Sequence, residues 1–117
     1  MKRPVWLVLI SMLLSMSIAT EAIVYVEPNG NDSDDGSTWG LAKQTIAAAI
    51  TAAGSSETIM VSNGTYVLSA MLTVNKDVTV ISTNGPGVTT LDGNGSVRVL
   101  YITDAGATVE GFTITDG

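Results

Sequence analysis

Leu72-Thr73-Val74 returns twenty-eight residues later as Leu100-Tyr101-Ile102, and Val78-Thr79-Val80 returns twenty-nine residues later as Ala107-Thr108-Val109. A repeat on this scale, built from very short β-prone segments, marks a solenoid, in which each unit buries its apolar face only by stacking on the next. Polar and apolar residues alternate within each segment. Leu72, Val74, Val78, Val80, Leu100, Ile102 and Val109 are therefore expected to point inward, and Thr73, Thr79 and Tyr101 outward. Stacked coils pair each strand in parallel with the one above, about 4.8 Å away, and line the inward residues up as aliphatic ladders.

The rest of the chain fits that frame. Ile23–Val26, Thr58–Val61, Thr89–Leu91, Val97–Ile102 and Thr108–Ile114 are further strand candidates. Between them lie Asn63-Gly64, Asn75-Lys76-Asp77, Asn84-Gly85-Pro86-Gly87, Asp92-Gly93-Asn94-Gly95 and Asp104-Ala105-Gly106, corners suited to left-handed backbone angles. One segment has helical period: apolar residues at 46, 49, 50 and 53, with Thr45 as N-cap and Gly54 expected as a left-handed cap residue. So short a helix does not hold in water alone. Ile46 and Ile50 are expected to plug the open interior of the first coil. Nothing comparable closes the other end, where Asp116-Gly117 reads as a turn, so the chain is expected to be the beginning of a longer protein, truncated at its C-terminal end. The residues alone also leave an ordinary β-sandwich open.

The first twenty-two residues have a different character. Lys2 and Arg3 precede an apolar run from Val5 to about Ile18, and small residues follow in Ser17-Ile18-Ala19 and Thr20-Glu21-Ala22. Charge, apolar run and small residues in that order describe a secretory signal peptide, cleaved after Ala19 or Ala22. The run is short for a bilayer span, and Ser11, Ser15 and Ser17 interrupt it. The expected organisation is a signal peptide at 1–22, a strand, acidic loop and capping helix at 23–57, and the first coils at 58–117. The product would be secreted or held at the cell surface, with no membrane association after cleavage.

Composition narrows the chemistry. The chain of 117 residues has no cysteine and no histidine, which removes disulfides, thiolate or imidazole zinc sites, and every nucleophilic relay that uses either residue. Its net charge of −6 becomes −7 once Lys2, Arg3 and Glu21 are removed, and argues against nucleic acid as a partner.

Tyr25-Val26-Glu27-Pro28-Asn29-Gly30-Asn31-Asp32-Ser33-Asp34-Asp35-Gly36-Ser37-Thr38-Trp39, followed by Ala42-Lys43-Gln44-Thr45-Ile46-Ala47-Ala48-Ala49-Ile50, resembles the opening of secreted right-handed parallel β-helix proteins of the pectate-lyase-like superfamily. Thr58-Ile59-Met60-Val61-Ser62-Asn63-Gly64-Thr65-Tyr66 resembles that family's first coil, where an apolar strand leads into a Gly-Thr-Tyr corner. Gly54-Ser55-Ser56-Glu57 departs from the pattern, standing where a tighter Gly-Asp turn is common. The resemblance implies an all-β fold, a right-handed parallel β-helix with a short N-terminal capping α-helix. Enzymes and non-enzymatic surface proteins share this opening, so it carries less about function.

Asp32, Asp34 and Asp35 form the best candidate site, since three carboxylates within four residues suit a hard cation such as Ca²⁺. The EF-hand pattern fails, because Ala42 falls where its bidentate Glu belongs. The alternative is a solvated turn whose Asx side chains cap their own backbone. Asp92, Asp104, Glu110 and Asp116 could supply a glycosidase pair, but most stand at Asx-Gly corners, and Glu110 has no facing partner. Lyases of the resembling superfamily use Lys or Arg as base, with Ca²⁺ on the uronate. Here Lys43 precedes the helix, and Lys76 is expected to pair with Asp77 or with water. Arg98 is expected to face outward at the start of a strand. No catalytic residue is assigned. Asn31-Asp32-Ser33, Asn63-Gly64-Thr65 and Asn94-Gly95-Ser96 match the glycosylation acceptor pattern. The expected function is a non-catalytic surface module with a scaffold, adhesion or glycan-contacting role. The alternative is the N-terminal part of a polysaccharide lyase or glycoside hydrolase.

Overall fold

The computed structural model describes residues 22–117, so the proposed signal peptide, Ala22 apart, lies outside the described residues. Nine strands follow in chain order: β1 (Ile23–Val26), β2 (Thr58–Val61), β3 (Gly64–Val67), β4 (Leu72–Val74), β5 (Thr79–Ser82), β6 (Thr89–Asp92), β7 (Leu100–Ile102), β8 (Thr108–Glu110) and β9 (Thr113–Thr115). They form three sheets, ordered β1-β2-β5-β8, β3-β6-β9 and β4-β7. All six strand pairings are parallel. Hairpin sandwiches require antiparallel neighbours, so that alternative is set aside. The chain is an all-β, parallel, solenoid-like stack with one short helix.

Both repeats lie in the register their spacing implies. Leu72 pairs with Leu100, Thr73 with Tyr101 and Val74 with Ile102, while Thr79 pairs with Thr108 and Val80 with Val109. Other rungs follow unequal offsets: Ile59 lies beside Val80 and Tyr66 beside Leu91. Corner lengths vary while strand positions repeat.

The core is a continuous aliphatic column. Val24, Val26, Ile59, Val61, Leu72, Val74, Val78, Val80 and Leu91 are buried within it, and Tyr66 joins them. Helix α1 (Ile46–Ala52) contributes Ile46, Ala49 and Ile50, and Ala53 follows as its C-cap. It packs against β1, β2 and β4. The alanines on this face let the helix approach the sheets closely while the two isoleucines fill the space between, as expected of a plug. Thr45 caps the first turn, its Oγ1 accepting from Ala48 N at 3.2 Å.

Several local expectations are corrected. Gly54 is not a left-handed cap: Ala53 leaves the helix in extended geometry, and Gly54 N donates to Glu57 Oε1 at 2.9 Å. The helix end is instead satisfied by Lys76, whose Nζ donates to Ala53 O at 2.9 Å and Thr51 O at 3.4 Å. Lys76 therefore pairs with the negative end of the helix rather than with Asp77. Gly64–Val67 is a strand where the sequence suggested a corner. The turn comes just before it, and Tyr66 Oη donates back to Ser62 O at 2.9 Å. Thr108–Ile114 divides into β8 and β9 because Gly111 takes a φ of 87° and packs against Ser82, whose hydroxyl donates to Gly111 O. Residues 97–99 precede β7 rather than belonging to it. In the last coil, Leu100 and Val109 pack partly against the core, but Ile102 is 42% exposed.

Candidate functional site

The acidic loop is arranged around a lysine. Lys43 is buried at 8% exposure, and its Nζ donates to the carbonyl oxygens of Asp32 at 3.0 Å and Asp34 at 2.6 Å. Its backbone lies along the outer edge of β1: Lys43 N donates to Tyr25 O and Glu27 N to Lys43 O, both at 2.9 Å. The loop folds over this segment, with Asn31 N donating to Ala42 O. Gly30 makes the approach possible, since any side chain there would collide with the carbonyls of Ala42 and Lys43.

The three candidate aspartates have separate tasks. Asp32 reaches the start of α1, where Oδ1 accepts from Gln44 N and Thr45 N and Oδ2 from Thr45 Oγ1, each at 2.9 Å. Partial burial pushes its carboxyl upward, but the Thr45 and Gln44 hydrogen bonds and the Lys43 charge together hold it below the ordinary aspartate value. Asp35 closes an Asx turn on Ser37 N at 2.9 Å, and the Ser37 side chain together with that backbone bond holds its carboxyl below the usual range. Asp34 takes part through its carbonyl. Among the described residues, no group of three or more potential ligands converges on a point where a metal ion could sit. The two carbonyls that meet in the loop receive an ammonium group instead.

The other acids behave as corner residues. Asp92 Oδ1 accepts from Asn94 N and Asp104 Oδ1 from Gly106 N, both at 2.8 Å. Asp116 takes a positive φ of 53°. Glu110 is exposed on the outer face beside Ile81. Arg98 is exposed just ahead of β7 and lies 5.8 Å from the centre of the Tyr101 ring, a cation–π contact. All three glycosylation-pattern asparagines are exposed, and Asn63 Oδ1 accepts from Asn84 Nδ2 at 2.8 Å, a rung between successive corners.

Two clefts open on the described surface. One lies between α1 and the outer face of β4, lined by Ala47, Ile50, Thr51, Thr73, Asn75 and Lys76. The other lies on the last coil among Ser96, Val97, Arg98, Leu100 and Ile114. Neither gathers opposed acids and bases.

The sequence reading missed an aromatic pair. Tyr25, on the outer face of β1, and Trp39, in a single 3₁₀ turn (Trp39–Leu41), have ring centres 4.6 Å apart at 53°. The available signal was compositional: Trp39 is the one tryptophan outside the first twenty-two residues.

No helix among the described residues is long and apolar enough to cross a membrane. Compared with known proteins, the chain matches no family profile, and no curated protein or solved structure matches it significantly.

Proposed function

We propose that this chain forms coils of a right-handed parallel β-helix in an exported, non-catalytic surface module, with a scaffold or glycan-contacting role. The carrying observation is the parallel register itself. Strand positions repeat while corners vary, and the outward positions stack as columns such as Thr65–Thr90–Thr113 and Thr58–Thr79–Thr108. Such a lattice presents a long, regular face and tolerates change at its corners. Export is supported by the order of charge, apolar run and small residues in the first twenty-two positions.

The test is fractionation of bacteria producing the full chain with a C-terminal epitope. The tagged product should leave the cytoplasm, and its first residue should be Thr20 or Ile23. An intact Met1 on a cytoplasmic product would overturn the export reading. The same preparation should generate no unsaturated product from polygalacturonate with added Ca²⁺. A steady rise of ultraviolet absorbance, absent from a heat-killed control, would make the chain part of a lyase.

A further inference from the structure

The outer face of the first sheet carries two columns of side chains. Ile23, Thr58, Thr79 and Thr108 form one, and Tyr25, Met60, Ile81 and Glu110 form the other. The second is apolar over three successive rungs, although these side chains point away from the core. Its inward neighbours, Val24, Ile59 and Val80, already fill the interior. Trp39 lengthens the apolar column downward from Tyr25 and is 40% exposed, with Leu41 beside it at 43%. The result is a stripe along the stacking axis, begun by an aromatic pair and flanked by a row of threonines.

We propose that the stripe Trp39–Tyr25–Met60–Ile81 seats a neutral polysaccharide chain, an assignment that rests on the surface-module reading above. A sugar ring has an apolar C–H face and a rim of hydroxyls. The stripe offers aromatic and aliphatic surface for the face, and Thr58, Thr79 and Thr108 offer hydroxyls for the rim. Rungs spaced about 4.8 Å apart repeat on the scale of successive sugar rings, so a polymer laid along the axis meets the same chemistry at each step.

Charge selects the neutral class. Glu110 continues the stripe and Glu27 follows β1, while neither lysine among the described residues is free to face an anion. Lys43 is buried against the Asp32 and Asp34 carbonyls, and Lys76 is bound to the end of α1. Arg98 stands with Tyr101 at the third sheet, away from the stripe. A uronate polymer would meet like charge without compensation, and a neutral glucan or xylan would not.

The experiment is co-sedimentation of the full chain with insoluble β-glucan, xylan and a covalently crosslinked, calcium-free polygalacturonate gel. The parent should pellet with a neutral polymer and not with the acidic gel. Trp39→Ala should weaken the neutral binding about tenfold. Tyr101→Ala, which removes an exposed aromatic from a different sheet, should leave it unchanged. Circular dichroism melts report whether each variant folds. If Trp39→Ala does not fold, shielding of the parent's tryptophan from acrylamide by soluble neutral oligosaccharide, preserved in Tyr101→Ala, is the expected result. Equal binding by Trp39→Ala and parent, or preference for the acidic gel, would overturn the stripe as the site while leaving an exported module intact. A parent that binds no neutral polymer overturns it as well. The export reading fails separately, on the location of the tagged chain.

Discussion

At the amino-terminal end of the stack, the outer edge of β1 is already occupied. Tyr25 N donates to Gly36 O, Lys43 N to Tyr25 O and Glu27 N to Lys43 O, and Ile46, Ala49 and Ile50 cover the interior above them. At the last coil, Ile102 is 42% and Ile114 53% exposed, and Val109 and Phe112 are only partly covered. The same aliphatic ladder is thus sealed by loop and helix beside β1 and less covered in the last described coil. A bare strand edge and an uncovered apolar layer are both adhesive, so the first end must be sealed by elements that are not themselves coils. Thirty-one residues of loop and helix between β1 and β2 do that sealing, and this explains why the first coil is the longest.

The contrast predicts where substitutions matter. The largest effect is expected for Ile59→Ala, which removes a fully buried side chain from the sealed part and should cost about 3 kcal/mol in chemical denaturation. Ile114→Ala, the same change in the last described coil, should cost less than about 0.5 kcal/mol. Equal losses would mean that the last coil is packed as tightly as the first.

Lys43→Met comes next. It keeps most of the stem but removes the ammonium from two carbonyls, and should destabilise by about 2 kcal/mol. It should also make the 29–43 loop the first site of proteolysis, whereas Arg98→Met should change neither. Thr45→Ala removes the helix N-cap and one of the donors to Asp32, for a loss of about 1 kcal/mol.

Asp32 supplies a pH test of the same seal. Its carboxyl is held below the ordinary value in the folded state. Its contribution is therefore fully present above the unfolded pKa, about 3.9, and is lost as pH falls through the lower folded value. The stability difference between the parent and Asp32→Asn should hold from pH 7 to about 5 and shrink below pH 4. A difference that grows on acidification would reverse the assignment.

One further effect has the opposite sign. Thr89 is fully buried in β6, and its Oγ1 has no hydrogen-bond partner. Thr89→Val keeps the shape and removes the unmet hydroxyl, so the melting temperature should rise, by an amount equivalent to about 1 kcal/mol.

Strand positions were legible because parallel stacking repeats a chemical pattern. Leu72 and Leu100, or Val80 and Val109, resemble each other because they occupy one column. The pairs Ile59 with Val80 and Tyr66 with Leu91 were not, since corners of unequal length hide their correspondence from any fixed period. Gly64–Val67 was misread because a glycine after asparagine signals a turn, and only the ladder to β6 shows that the chain has already straightened. At the acidic loop, the three aspartates were visible as a cluster, but their partners were not. Gln44 and Thr45 are twelve and thirteen residues from Asp32, and proximity in sequence says nothing about which carboxylate reaches them.

Alternation, composition and spacing alone determined where the short strands lie, that a thin alanine-rich helix interrupts them, and that Thr45 begins it, while the parallel pairing seen in three dimensions chose stacked coils over a sandwich. These are consequences of local periodicity, which every residue carries with it. The filling of the acidic loop by Lys43, the satisfaction of the helix end by Lys76 instead of Gly54, and the meeting of Trp39 with Tyr25 were decided only in three dimensions. Each depends on where a corner returns the chain, and that is set by the whole stack above and below.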